Sequence, residues 1–294
     1  MVIGRDRLHG LPGEFTVVKC LGCGLMRTNP RPTPETIGYY YPPEYGPYQK
    51  GKVNAVNRRY PPARWKRLIE RLLDLRTHAM PTLPPGRLLE VGCATGGFLQ
   101  EMAMRGWLVE GVEASTRAAA VSQSLGYVIH TGHVEKMPDP PHFYNLIVGW
   151  MLFEHLHDPM VALKKFYRWT APKAWLVLSV PNAGSFEFRL FRETWYGTDL
   201  PRHLYHYTPQ TIAQVLERGG WRMTRVLYQY LLSDTIGSLG YCLRDWGLMP
   251  DLAKRLVNFP STAWRMHYVF YPVAFLLAAM GQTGRMVVWA QRAA

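Results

Sequence analysis

The chain has 294 residues, 48% of them hydrophobic, and carries 34 Lys and Arg against 21 Asp and Glu for a formal net charge of +13. That length holds one sizeable domain with a smaller appendage. The basic excess suits acidic partners such as nucleic acid, anionic lipid or phosphorylated small molecules. The cationic residues are scattered, with no run of five or more, and the aromatic residues do not interleave with Arg as in RNA readers, which argues against nucleic acid. Cys20, Cys23, Cys93 and Cys242 are too few and too unevenly spaced for a disulfide framework, so a reducing, cytoplasmic setting is expected. The start shows no signal-peptide pattern. The longest apolar run, Tyr268 to Met280, has 13 residues and contains Pro272, short of the roughly 20 that cross a bilayer.

In chain order, FTVVKCLGCGLMRTNP (15–30) reads as a strand entering a C-x-x-C turn. Cys20 and Cys23 supply two ligands where a structural zinc takes four, and His9 is the only other candidate ligand upstream. RPTPETIGYYYPPEYGPY (31–48) holds five Tyr among prolines, which suits a lid over a cofactor or substrate and equally a loop packed on the main domain. ARWKRLIERLLDLR (63–76) has helical apolar spacing and is expected to cover a sheet. LLEVGCATGGFL (88–99) reads as a buried strand, a glycine-rich turn and a helix starting near Phe98, whose free N–H groups would point at a ligand. Its spacing is neither a phosphate loop nor a clean dinucleotide turn, and a neutral-to-cationic adenosine ligand fits better than a pyrophosphate. WLVEGVEAS (107–115) is a second strand with Glu113 at its carboxyl end, placed to accept from sugar hydroxyls. A helix (115–125) and a strand (127–130) follow, and the loop TGHVEKMPDPP leads to the strand NLIVGWM. Next come a helix from Asp158-Pro159, a strand AWLVLSV, a helix from Thr208-Pro209 to Gly219-Gly220, the strand WRMTRVLYQY and a last strand over 285–291.

On these motifs the chain resembles the class I S-adenosylmethionine-dependent methyltransferases over roughly residues 83–230. The Cys20/Cys23 turn resembles the second half of the N-terminal zinc-binding module that precedes many bacterial members. The resemblance implies an α/β, Rossmann-like, doubly wound sheet of seven mostly parallel strands with an antiparallel last strand. It divides the chain into an N-terminal extension (1–60), the core (61–230), a helical aromatic-rich insertion (231–283) and the last core strand (284–294). It implies S-adenosylmethionine as cofactor, with zinc a further candidate at Cys20 and Cys23. Glu90 would lie near the amino-acid part of that cofactor, Gly92, Cys93, Ala94, Gly96 and Phe98 would form the turn beneath it, and Glu113 with Ala114 would hold the ribose. His133 and Val134 would border the adenine, and Trp150 and Met151 would end the fourth strand beside it. Ala94 stands where many members have Gly.

Methyl transfer needs two aligned reactants and, for a hydroxyl or carbon nucleophile, a base. FEHLHDP (153–159) offers Glu154 and His155, which resemble the Glu-His pair of ubiquinone-type O-methyltransferases; the further acid that helps hold a divalent metal there is Met151 here. DLPRHLYHY (199–207) offers His203, the expected base, with His206 and Glu154 in reserve. The expected activity is methyl transfer to oxygen, or to carbon, of a small-molecule, sugar or lipid-linked acceptor. A membrane-surface enzyme acting on a quinone or polyprenyl lipid and a non-catalytic cofactor-binding scaffold are the alternatives. The insertion is read as a lid or core element, then as a homodimer face, then as a peripheral membrane contact.

Overall fold

The computed structural model describes residues 2–42, 45–46, 74–262 and 267–293. Most of the helix expected over 63–76, together with Tyr48 and Trp264, therefore lies outside the described residues. The central sheet contains β4 (Arg87–Val91), β5 (Leu108–Glu113), β6 (Val128–Thr131), β7 (Tyr144–Trp150), β8 (Thr170–Pro181), β10 (Trp221–Tyr228) and β11 (Arg285–Arg292), in the order β10-β11-β8-β7-β4-β5-β6. All neighbours are parallel except β11, which runs antiparallel to both β8 and β10. Continuous apolar runs make these central strands: Leu88, Leu89, Leu146, Ile147, Val148, Leu176 and Val177 are all buried, and they divide between two clusters, one on each face.

Helices cover both faces: α1 (Gly97–Met104), α2 (Thr116–Ser124), α3 (Pro159–Trp169), α4 (Phe186–Phe191) and α5 (Pro209–Arg218). Their starts are written locally. The Asp158 carboxylate accepts from the Val161 N–H ahead of Pro159, and Thr208 and Thr211 form a reciprocal capping box ahead of Pro209. In α3 the spacing of Ala162, Leu163, Phe166 and Trp169 puts all four against the sheet. Between β10 and β11 the chain forms α6 (Ser233–Asp245), α7 (Pro250–Thr262) and α8 (Tyr271–Ala279). No helix among the described residues is long and apolar enough to cross a membrane.

A second sheet was not anticipated from the sequence. β1 (Val2–Arg5), β2 (Glu14–Lys19) and β3 (Met26–Asn29) form an antiparallel meander, and its outer strand pairs with β9 (Tyr205–His206), a two-residue strand from the loop after β8. The C-x-x-C turn is the hairpin between β2 and β3, closed by the Cys20 N–H donating to Leu25 O and the Gly24 N–H donating to Cys20 O.

One buried cation joins the two sheets. The Arg202 guanidinium, wholly buried, donates through Nη2 to Asp6 Oδ1 at 2.8 Å and to Asp199 Oδ1 at 2.6 Å, through Nε to both Asp199 oxygens, and through Nη1 to the Tyr40 carbonyl at 3.0 Å. Asp6 is itself buried and accepts from the N–H groups of Leu8, His9 and Leu11. Removing the cation leaves two carboxylates without their partner in a dry site. Arg202→Leu is therefore expected to destabilise the fold by about 3–5 kcal/mol, read as a lowered urea midpoint.

Candidate functional site

The carboxyl edge of a parallel sheet is where an open α/β fold places its ligands, and a cleft of about 1010 Å³ opens there. One end is built by the turn after β4. Gly92 and Gly96 take φ of +76° and +79°, and a Cβ on Gly92 would sit 2.8 Å from Leu152 Cδ1, so side-chain-bearing residues are excluded there. Ala94 also adopts a left-handed φ of +45°, a conformation in which Ala is strained relative to Gly. Glu113, at the end of β5, spans the turn: Oε2 accepts the Ala94 N–H and Oε1 the Ser115 N–H, both at 2.8 Å. Burial raises its carboxyl above the ordinary range against the pull of those N–H groups, and lone pairs on both oxygens stay available to a ligand.

Of the residues expected at this end, Gly92, Ala94, Glu113, Ala114, His133, Val134, Trp150 and Met151 line the cleft. Glu90, Cys93, Gly96 and Phe98 stand one layer behind it. Glu90 is buried, its Oε2 has no hydrogen-bond partner, and burial with the neighbouring Glu113 charge pushes its pKa well up. Burial likewise raises the Cys93 thiol. Phe98 packs edge-on against Trp150, ring centres 5.2 Å apart, and so supports the indole at the cleft wall. Met151 closes β7 with a φ of +50°, a strained value for a side-chain-bearing residue at a ligand edge.

The other end is aromatic and imidazole-lined. Tyr41 and Tyr45 of the Tyr/Pro-rich segment reach the cleft, whereas Tyr40 packs edge-on against Phe15, so that segment serves as both wall and packing. His155 and His203 line the cleft and meet edge-on with ring centres 4.6 Å apart. His203 Nδ1 lies 2.9 Å from the Gly197 carbonyl, which can only accept. Nδ1 therefore carries the proton and Nε2 holds a lone pair. Glu154 Oε1 and Asp199 Oδ2 each lie 3.8 Å from that Nε2. Burial depresses the His155 pKa to about 4 and, together with His155, takes His203 well below its ordinary value. Burial also lifts the Glu154 carboxyl to about 8. Asp199 behaves in the opposite way, because Arg202 outweighs burial and holds its carboxyl at about 2. The sequence reading missed Asp199, Arg202, Tyr196 and Arg285; the one signal available was a charged pair inside the apolar stretch DLPRHLY.

Three expected residues stand apart. His206 lies in β9, buried, with Nε2 3.1 Å from Thr28 Oγ1, and does not line the cleft because its strand is committed to pairing with β3. Cys20 is exposed and Cys23 half-buried. The N–H and thiol of Cys23 and the N–H of Gly22 hold the Cys20 thiol below its usual pKa. Two thiols fall short of the four ligands of a closed zinc site. Among the described residues one group of three metal-competent side chains converges, Glu154, His155 and His203, with ligand atoms within 4.8 Å of one another.

A family described as a methyltransferase domain matches residues 57–226. A ubiquinone biosynthesis O-methyltransferase from Nitrosospira multiformis is 23% identical over 155 residues, covering 48% of this chain and 64% of that protein's own length. The protein solved in complex with the Haloferax volcanii Trm112 methyltransferase activator shares the fold with a TM-score of 0.51 at 11% identity, over 78% of this chain and 93% of the other. An S-adenosylmethionine-dependent methyltransferase from Mesorhizobium loti superposes with a TM-score of 0.48 at 14% identity, over 76% of this chain and 96% of its own.

The buried carboxyl at position 154 has a consequence for stability. Its folded pKa, about 8, lies above the ordinary 4.5, so between those values the folded state holds a proton that the unfolded chain has released. Stability then falls as pH rises across that window, by up to about 1.4 kcal/mol per pH unit for one group. Glu154→Gln removes this contribution. Urea unfolding of the variant and the parent should converge toward the acid end of the window and diverge in the variant's favour toward pH 8.

Proposed function

Because the chain belongs to the methyltransferase domain family and is an S-adenosylmethionine-dependent methyltransferase, we propose that it methylates an oxygen, or a carbon, of a small-molecule, sugar or lipid-linked acceptor, with His203 as general base. The observation that carries this reading is one continuous cleft joining the Glu113 turn to the bare Nε2 of His203. The four cysteines are free thiols, in keeping with a cytoplasmic protein. In this reading residues 61–230 and 284–294 are the core, 1–60 an N-terminal extension whose described residues include part of the cleft wall, and 231–283 an insertion.

The residues at the glycine turn fit the cofactor. A buried Glu90 oxygen and the buried Trp150 Nε1 have no partner within the described protein, and Glu113 keeps acceptor capacity beside the backbone cradle. Gly92, Ala94, Glu113, Ala114, His133, Val134, Trp150 and Met151 would hold it, with Glu90 behind them. When bound, S-adenosylmethionine supplies a methyl group activated on a sulfonium centre. The chain itself aligns the acceptor, excludes water and takes up the acceptor's proton at His203 Nε2; burial keeps that nitrogen unprotonated at neutral pH, and Asp199 and Glu154 flank the imidazolium that results. His155 shapes the same wall. Its Nδ1 lies 2.9 Å from the Tyr41 hydroxyl and 3.0 Å from the Arg202 carbonyl.

A second reading narrows the acceptor to a quinone- or polyprenyl-type lipid. It is supported by the ubiquinone-related relative and by the insertion, whose helix α7 lines the cleft and whose helix α8 exposes apolar residues.

His203→Ala should keep cofactor binding in calorimetry while losing turnover by about 10² to 10⁴, followed as S-adenosylmethionine consumed across a panel of phenols, sugars and polyprenyl phenols. Unchanged turnover removes His203 from the reaction. Chelation with EDTA should leave the rate as it was; loss on chelation and recovery with a divalent ion would instead assign Glu154, His155 and His203 to a metal.

A further inference from the structure

Helix α8 is built entirely of Tyr, Pro, Val, Ala, Phe and Leu, and a helix apolar on every side belongs in a core or in lipid. Yet only Ala274 and Ala278 are buried, against Leu75, Tyr230, Leu231 and Leu232. Val269, Val273, Leu276 and Met280, spaced i, i+4, i+7 and i+11, form a stripe with exposures of 66%, 53%, 62% and 63%, and Phe275 beside it is 45% exposed. At nine residues α8 is about 13 Å long, suited to lying along an interface and not to crossing one.

The surroundings say what covers the stripe. Arg189 of α4 donates to the Gln282 side chain at 2.5 Å, just beyond the end of α8, and α4 leaves Phe186 and Leu190 exposed as well. Arg189 of α4, Arg192 just after it, Arg244 near the end of α6, and Lys254 and Arg255 of α7 are exposed, against exposed Glu193 and Asp251. Asp234 and Asp245 are spent on Arg285 and Arg7. An exposed apolar stripe with Arg189 at its end, next to helices whose exposed charges are mostly cationic, matches an anionic bilayer surface. The insertion also reaches the cleft: Val257, Asn258 and Pro260 of α7 line it, and Phe259 packs edge-on against His267 and Phe270 just before α8.

We propose that α8 and the exposed face of α4 seat the protein on an anionic lipid surface, so that a lipid-borne acceptor enters the cleft along α7. The acceptor clause rests on the methyltransferase reading; the docking clause stands without it. The experiment is co-sedimentation of the full chain with phosphatidylcholine vesicles, with and without phosphatidylglycerol, in low salt. The expected result is binding to the anionic vesicles, weakened by added salt and reduced about tenfold or more in Val273→Glu/Leu276→Glu/Met280→Glu, with thermal unfolding and calorimetric S-adenosylmethionine binding unchanged. No binding to either vesicle overturns the proposal. If sedimentation then shows a dimer that the triple variant disrupts, a second copy covers the stripe. If the triple variant instead unfolds several degrees earlier, a segment of the chain itself does. Loss of cofactor binding in the parent would count against the enzymatic reading and leave the docking result intact.

Discussion

A guanidinium taken wholly out of water is unfavourable unless its charge and its donors are matched on the spot, and the geometry around the cleft follows from how Arg202 is matched. Two carboxylates, Asp6 near the start of the chain and Asp199 three residues before the cation, and the carbonyl of Tyr40 converge on it. The loop that carries His203 is thereby held against the N-terminal meander, and β9 can form only because that loop lies flush with β3. The Tyr/Pro-rich segment is drawn in through the same cation, which leaves the Tyr41 hydroxyl beside His155. The N-terminal region is accordingly one wall of the cleft and not a separable appendage.

Burial then sorts the titratable groups. Glu154 and the imidazoles of His155 and His203 are all driven toward their uncharged forms, whereas Asp199 stays ionised because Arg202 stands against it. On the proposed reaction the acceptor's proton would arrive at a nitrogen 3.8 Å from Asp199, whose carboxylate Arg202 keeps ionised and in place to support the charge. On that proposal, burial makes His203 a weak base before reaction and Asp199 supports its charged form during it.

The core was legible because its signals are local. Strands buried on both faces read as apolar runs, and Asp158, Thr208 and the Gly219-Gly220 pair mark helix ends within their own few residues, so the expected α3 coincides with Pro159–Trp169. The antiparallel β11 followed from the family resemblance. The second sheet was not legible: β3 is polar in sequence, β9 has two residues, and their pairing joins Met26 to His206, which no periodicity encodes. His203 and His206 were equally eligible as bases on paper. Pairing of β9 sets them apart in position, committing His206 to Thr28 while His203 lines the cleft. Arg202 was only half legible, since Asp199 lies three positions away but its other partner, Asp6, lies 196 positions away.

In the insertion, hydrophobicity alone leaves the place of one helix open. A run of 13 apolar residues containing a proline is too short to span a bilayer, which favours a place in the core. Pro272, however, does not break the helix but sits in its first turn, where its missing N–H costs nothing. Residue size supplies the better test. A core helix turns its bulky side chains inward so that they fill the space between elements, whereas α8 turns Ala274 and Ala278 inward, four residues apart, and sends Val273, Phe275 and Leu276 outward. Two alanines allow close approach to Tyr230 and its neighbours without contributing much buried area. The larger apolar surface of α8 is therefore the one the fold leaves uncovered, and that asymmetry between small and large side chains was present in the sequence for anyone who weighed volume as well as hydrophobicity.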